Sequence, residues 1–264
     1  MKPAALALAV IGWALASPCR AQDFASPTLP GPAAAPLAFL DTGLPSAGSG
    51  LGFAAGAVRW FGLPELVTRS AALAGSWRGL RGAAGLSQTG DPELGWTALG
   101  LGLGGAGGSG GGAVRVVARR DRYPRPAEGP LGPGLGLEAG GAAWVAAGGG
   151  VSVWASAPQA WLRGAAPPLA RGFELGLLYR ARGLGAWASR RAPPRDQEAD
   201  PEHEAGLALD LGSCAAWARA RDRPLRGGVG LAARARRIGA AVEIQSHPVL
   251  GESVLVSLAA PAPR

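Results

Sequence analysis

Apolar side chains recur at every second position through most of this chain after residue 50. The first part of segment 173–191, up to residue 182, shows the pattern: its odd positions are apolar, and its even positions include glycine and charged residues. The apolar set begins with Phe173, Leu175, Leu177 and Tyr179, and the opposite set contains Glu174, Arg180 and Arg182. A strict period of two is typical of a β-strand with one apolar face.

The same alternation returns in further segments along the chain, namely 114–119, 135–140, 204–211, 228–236 and 237–245. Short breaks separate the alternating runs at 78–79, 90–92, 182–183, 212–213, 222–226 and 236–237. Longer irregular stretches lie at 104–112, 122–133, 157–171 and 191–202. Tight connections between successive runs predict a meander of antiparallel hairpins, with about 12–14 strands, many of them ~9–11 residues long.

Alternation alone fits both a soluble β-sandwich and a membrane barrel. Three features favour the barrel: the runs are longer than those of soluble sheets, the polar face is mainly Gly and Ala with scattered charge, and tryptophans lie near run ends. We expect Trp60, Trp77, Trp144 and Trp217 to form an interfacial girdle. The predicted fold is therefore all-β, an antiparallel up-and-down transmembrane β-barrel over residues 51–260.

The N-terminus predicts export. Lys2 precedes an apolar run over 4–16, and Cys19 and Ala21 occupy the positions of an A-x-A-like cleavage site. We interpret residues 1–21 as a signal peptide. Cys19 is also compatible with lipidation, although Pro18 stands where a small residue is preferred. Residues 22–50 are rich in Pro, Ala and Gly, and we expect a plug-like or linker segment.

Composition argues against nucleic acid as a partner. The formal charge is +8, and Lys2 is the only lysine among 26 basic residues, while the chain contains 44 Gly and 23 Pro. This usage is typical of a GC-rich genome. No stretch interleaves clustered basic residues with aromatic ones as a nucleic-acid surface does.

The polar parity supplies the candidate functional residues. In a barrel these side chains would line the lumen, and the arginines would give it a surplus of positive charge that attracts anions. The predicted lumen-lining residues are Arg115, Arg119, Glu138, Glu174, Arg180, Arg182, Glu204, Asp210, Arg219, Arg221, Arg234, Arg236 and Glu243.

No motif predicts catalysis, a cofactor or a metal. The segment 102–111 matches G-x-G-x-x-G and G-x-S-x-G, but an alternating strand follows it where both motifs require a helix, so we expect a flexible loop. His203 and His247 are far apart, and Cys214 is the only cysteine after residue 21, so a zinc site cannot be assembled with ordinary spacing. We expect no enzymatic activity.

Two segments resemble a known family. RWFGLPELVTRSAALAGSW (59–77) is similar to the early segment of PorV/PorQ-like and FadL-like bacterial outer-membrane barrels, and AVEIQSHPVLGESVLVSL (241–258) resembles their last hairpin. The Asn-Pro-Ala stretch common in FadL-like proteins is missing. The resemblance implies an outer-membrane barrel, either a narrow or plugged channel or a secretion-associated platform.

The expected partners are outer-membrane lipid, with small anionic or hydrophobic solutes or a secretion-system component. The alternative from another class is a secreted soluble β-sandwich that binds a partner. Extraction behaviour distinguishes the two: the barrel should stay with membranes through a high-salt wash and require detergent, whereas the sandwich should be recovered in the soluble periplasmic fraction.

Overall fold

A computed structural model describes most of the chain after residue 51. The described residues are 52–63, 65–78, 80–90, 95–106, 109–121, 134–164, 172–193, 200–210, 214–223, 225–235 and 238–261. The predicted signal peptide 1–21 and the plug-like segment 22–50 lie outside these ranges, and so does Arg236.

Fourteen strands and one short 3-10 helix make up the described part of the chain. The helix, Trp60–Gly62, follows the first strand. The strands are β1 (Gly52–Arg59), β2 (Val67–Trp77), β3 (Leu80–Gly90), β4 (Gly95–Ala106), β5 (Gly110–Asp121), β6 (Leu135–Gly148), β7 (Val151–Gly164), β8 (Glu174–Ala181), β9 (Leu184–Arg191), β10 (Glu202–Asp210), β11 (Cys214–Asp222), β12 (Leu225–Ala235), β13 (Ile238–His247) and β14 (Gly251–Pro261).

The strands form one closed antiparallel barrel. Each strand pairs with its neighbours in sequence, and β1 pairs with β14 to close the sheet, with Gly52 opposite Pro261 and Arg59 opposite Val254. Closure leaves no unpaired sheet edge. The predicted up-and-down barrel of 12–14 strands is confirmed, and a single closed sheet is not a two-sheet sandwich.

The two ends of the barrel differ in the length of their connections. Gly52 and Pro261 lie at one end, together with connections of two or three residues at 78–79, 107–109, 149–150, 182–183, 211–213 and 236–237. We call this the short-turn end. The opposite end, the long-connection end, carries 60–66, 91–94, 122–134, 165–173, 192–201, 223–224 and 248–250.

The predicted parities are confirmed along the described strands. On the outer face, Leu177, Leu207 and Leu231 are 54%, 59% and 62% exposed, whereas Glu174 on the inner face is 7% exposed. Successive residues on β13 alternate between exposed and buried from Ile238 to Ser246. The apolar set therefore covers the outside of the barrel, and the polar set points into its interior.

The predicted tryptophan girdle is wrong. Trp60 is fully buried, and Trp144 and Trp217 are 9% and 7% exposed, so all three lie inside the barrel. The side chain of Trp77 is not among those described. Position near the end of a run suggested an interfacial role, but strand parity decides which way a side chain points. Trp217 shares the parity of Arg219 and Arg221, and all three face inward.

Two predicted loops are shorter than expected. β4 continues to Ala106 and β5 begins at Gly110, so most of the glycine-rich segment 102–111 is paired strand. β7 likewise extends to Gly164, through the first half of the predicted loop 157–171. Glycine and proline weaken the sequence pattern of a strand without preventing main-chain pairing with well-formed neighbours.

No helix within the described ranges has the length and apolar character that a membrane span needs.

Candidate functional site in the barrel interior

A continuous ion-pair network crosses the inner wall from β8 to β13. Glu174 and Arg191 are joined at 2.9 Å, and Arg191 lies 3.8 Å from Glu202. Glu202 in turn lies 3.4 Å from Arg221 and 3.9 Å from Arg226. The strands place these residues near the long-connection end, because each lies within two residues of a strand terminus there.

The network continues deeper into the barrel through Glu204 and Glu243. Arg221 donates to Glu204 Oε2 at 2.7 Å, and Arg219 lies 3.7 Å from Glu204 Oε1. Arg219 also donates to Glu243, which accepts a further hydrogen bond of 2.8 Å from the Gln245 amide. Glu243 and Gln245 are each 1% exposed. Charges this deeply buried require partners, and here each carboxylate has at least one guanidinium.

A second, smaller cluster lies on β5 to β7. Arg119 pairs with Asp121 at 2.9 Å, and Arg115 lies 3.6 Å from Glu138. Arg115 also donates to the main-chain oxygen of Pro158, at 3.2 Å from Nε and 3.1 Å from Nη2. The β6–β7 pairing is irregular between 139 and 141, opposite Pro158. This bulge frees a proline carbonyl from the ladder, and Arg115 satisfies it.

Three inner tryptophans each lie against a glycine on the following strand. Trp154 is opposite Gly176, Trp187 opposite Gly206, and Trp217 opposite Gly230. A Cβ atom added at any of these glycines would overlap the indole ring. The rings therefore lie flat along the wall, because only glycine leaves room for them.

Two of these indoles belong to the ion-pair network. Trp187 Nε1 donates to Glu204 at 3.3 Å, and Trp217 Nε1 donates to Glu243 at 3.1 Å. Both rings also pack with Leu178 and with alanines 208, 232 and 241 in one buried cluster. The network thus rests on a packed apolar layer that holds its carboxylates in place.

The interior is tightly filled around the arginines. Arg115, Arg119, Arg219, Arg221 and Arg226 are all at most 9% exposed. Arginines that line a wide water-filled channel would be largely accessible to water. These five arginines are therefore packed against other protein groups and do not line a wide water-filled space.

The first connection also contributes to the interior at the long-connection end. Trp60 packs with Val58 and Leu255, and its indole donates to Thr68 at 2.8 Å. Thr68 and Thr89 share a further hydrogen bond of 2.8 Å, and Ser253 accepts from the main chain of Phe61 at 3.0 Å. Trp60 and Phe61 stand at the start of segment 59–77, which resembles PorV/PorQ-like and FadL-like barrels. They therefore fold over this end of the barrel.

The predicted lumen residues fall into three groups: those in the two clusters, two arginines near the short-turn end, and those whose side chains are not described. The first group is in the two clusters: Arg115, Arg119, Glu138, Glu174, Glu204, Arg219, Arg221 and Glu243. Arg180 shares the inner parity but is half-buried, near the short-turn end. Arg182 instead lies in the β8–β9 turn, exposed, with a φ of 47°. The side chains of Asp210 and Arg234 are not among those described.

Sequence reasoning missed Glu202, Arg191, Arg226 and Gln245, which complete the network. The signal was present for all four, because each continues the polar parity of its strand: Arg191 on β9, Glu202 on β10, Arg226 on β12 and Gln245 on β13. With these residues the described network contains four glutamates (174, 202, 204 and 243) and four arginines (191, 219, 221 and 226). The expected surplus of positive charge is therefore not found in this network.

The exposed His203 and Asp222 form a separate pair on the outer face, where His203 Nδ1 lies 2.8 Å from Asp222 Oδ2. Within the described ranges no group of three or more His, Cys, Asp or Glu side chains could hold a metal ion.

Comparison with known proteins supports the fold. No family model matches the sequence, and no curated protein matches it. Among solved structures, the outer-membrane protein Omp33 of Acinetobacter baumannii is similar, with a TM-score of 0.52, 8% identity, and coverage of 81% of this chain and 98% of that one. A triple mutant of a Rhodopseudomonas blastica porin has a TM-score of 0.45 at 10% identity, over 80% of this chain and 99% of that one. The chain thus shares the closed antiparallel barrel fold of Omp33.

Proposed function

We propose that this chain is an integral barrel protein of the bacterial outer membrane, exported by means of residues 1–21, with a narrow interior passage. The observation that carries the proposal is the division of the barrel into two faces: leucines and valines cover the outside, while paired charges fill the inside. An apolar outer band around a closed sheet suits lipid, because closure leaves no strand edge with unpaired main-chain groups facing the lipid. The likeness to Omp33, described as an outer-membrane protein, is consistent with this location.

The connections suggest an orientation. Bacterial outer-membrane barrels carry short turns on the periplasmic side and longer loops outside the cell. By this rule, the short-turn end faces the periplasm. The first residue of β1, Gly52, and the last residue of β14, Pro261, lie on the same side. The long-connection end faces the exterior, and the ion-pair network lies towards it.

The filled interior makes the passage selective by size, and the ion-pair network within it is neutral; Arg81 and Arg180 add positive charge on the inner parity nearer the short-turn end. Four carboxylates and four guanidinium groups cancel within the network, so we expect weak ion selectivity there and low conductance. Solutes the size of sugars or fatty acids would not pass without rearrangement of the network. The narrow or plugged channel and the secretion-associated platform, both suggested by the resemblance to PorV/PorQ-like and FadL-like proteins, differ in whether any current flows.

Membrane fractionation and planar-bilayer recording test the proposal together. The protein should remain with outer membranes through a high-salt wash, and the reconstituted barrel should conduct only weakly. Changing Arg221 and Glu204 to serine removes a complete pair, bonded at 2.7 Å, and should raise the conductance several-fold. The matched control changes Arg223 and Asp200 to serine, an exposed pair joined at 2.6 Å outside the interior, and should leave conductance unchanged.

Recovery in the soluble periplasmic fraction would contradict the membrane location. A large wild-type conductance would contradict the narrow passage. Membrane insertion without measurable current, in both the wild type and the double variant, would favour the platform.

A further inference from the structure

Among the described strand residues, the arginines on the outer face of the barrel lie at the long-connection end. Each of five arginines lies within three residues of a strand terminus at the long-connection end, on the outward parity and exposed: Arg59 on β1, Arg69 on β2, Arg120 on β5, Arg163 on β7 and Arg190 on β9. We call this set the arginine belt. None of the five forms an ion pair with another residue in the part of the chain that the structure describes.

The opposite end has no such belt. Along the outward parity of the strands near the short-turn end, the described side chains include no charged residue, and the arginines there, Arg78 and Arg182, lie in turns. At the long-connection end, two acidic residues face outward on the described strands. Asp222 is paired with His203, and Glu252 is the other. The described outward faces of the strands are therefore positive near the long-connection end and apolar near the short-turn end.

Cross-strand neighbours place the belt at an apolar border. Arg120 is directly opposite Leu135, Arg163 opposite Leu137, and Arg190 opposite Leu175. Trp161, 49% exposed, stands two residues from Arg163 on the same outer face. Arginine stems lie readily along apolar surface while the guanidinium reaches the headgroup level, and tryptophan is favoured at the same depth.

We infer that the arginine belt binds the phosphate groups of anionic lipids in the leaflet at the long-connection end. The planar guanidinium matches phosphate with two parallel hydrogen bonds, and an arginine on a lipid-facing wall meets lipid phosphates before any soluble anion. The asymmetry between the two ends then matches a membrane whose outward leaflet is the richer in phosphate. This inference rests on the proposed membrane location.

Fluorescence quenching tests it directly, because Trp161 is an exposed outward tryptophan beside the belt. The full barrel is reconstituted in vesicles that contain brominated phosphatidylglycerol or brominated phosphatidylcholine, and Trp161→Phe supplies the background from the other tryptophans. We expect the quenching to show a several-fold preference for phosphatidylglycerol, since each engaged arginine contributes about fivefold at most. Arg120→Gln combined with Arg163→Gln and Arg190→Gln should abolish the preference. The control, Arg78→Gln with Arg182→Gln at the opposite end, should retain it.

The remaining outcomes separate this inference from the proposed function. Quenching by phosphatidylcholine equal to that by phosphatidylglycerol in the wild type would overturn the lipid-phosphate belt while leaving the membrane location intact. No quenching by either lipid would overturn both. A preference that millimolar inorganic phosphate removes would mean an ordinary phosphate site and would overturn the assignment to lipid.

Discussion

Glu243 is the residue on which the buried network most depends. It accepts hydrogen bonds from Arg219, from the Trp217 indole and from the Gln245 amide, and it is 1% exposed. Removing one member of a buried ion pair leaves the other charge without compensation, which costs far more than the pair itself contributes. Loss of a single buried carboxylate should therefore lower the free energy of unfolding of the barrel substantially.

Glu243→Gln should lower the free energy of unfolding by about 3–5 kcal/mol. Urea unfolding in detergent micelles, followed by heat-modifiable gel mobility, measures the loss. The control is Glu252→Gln on β14, an exposed carboxylate of the same hairpin, which should change stability by less than about 0.5 kcal/mol. Equal effects at the two positions would contradict the burial of Glu243. Combining Glu243→Gln with Arg219→Gln should recover part of the loss.

The glycines under the tryptophans make a second prediction at this scale. Gly206→Ala places a methyl group against the Trp187 ring, and overpacking of this kind costs about 1–3 kcal/mol. Gly82→Ala on β3 is the matched control, since a Cβ there meets nothing within 4 Å. We expect the control to be neutral or slightly stabilising, because alanine orders a strand better than glycine. If both variants unfold at the wild-type urea concentration, the Trp187 ring does not lie over Gly206.

Along a single strand, the cost of a charged side chain depends both on the face it occupies and on its depth in the membrane. β10 has an outward row in which His203 lies near the long-connection end and Leu207 near the middle of the strand. A charge on the lipid-facing side is costly at the midplane and tolerated near the headgroups. The same substitution should therefore have different effects at two positions of one strand and one face.

Leu207→Arg should lose about 2–4 kcal/mol of stability in lipid, and His203→Arg about 0–1 kcal/mol. Arginine at 203 can also keep the pair with Asp222. The folded fraction in phosphatidylcholine vesicles, read from gel mobility without heating, gives the comparison. Equal tolerance of the two charges would argue that the outer face of β10 does not contact lipid. Ala208 is not a suitable inward control, because it is 2% exposed within an apolar cluster that a charge would also disrupt.

At the scale of the whole molecule, the unequal ends predict an orientation in the membrane. Cys214 is an exposed cysteine at the start of β11, on the short-turn end. Val249 lies in the β13–β14 connection at the other end and is 83% exposed. These two positions allow each end to be labelled by itself.

A membrane-impermeant maleimide should label Val249→Cys on intact cells, in a Cys214→Ser background, and should leave wild-type Cys214 unlabelled. Permeabilising the outer membrane should expose Cys214 to the same reagent. The reverse pattern would mean that the long-connection end faces the periplasm. Labelling of both positions on permeabilised cells shows that each thiol is reactive in the folded protein.

Periodicity in the sequence determined the strands and their facing. A period of two leaves each side chain only two directions, so the inward position of Glu174 and the outward position of Leu175 follow once one face is known to be apolar. The same rule, applied to Trp217, would have placed it inside with Arg219. Its distance from the strand end misled the prediction because that distance reports depth and not direction.

Only the tertiary structure decided which charges meet. Arg219 and Glu243 are 24 residues apart and lie on strands separated by β12, and their contact depends on the register of two successive pairings. Closure between β1 and β14, and the bulge that presents the Pro158 carbonyl to Arg115, likewise come from main-chain pairing around the whole sheet. Alternation constrains the face of a strand but not its shift along its neighbour. The sequence by itself therefore determined the barrel wall, while the strand register determined the neutral, closed network inside it.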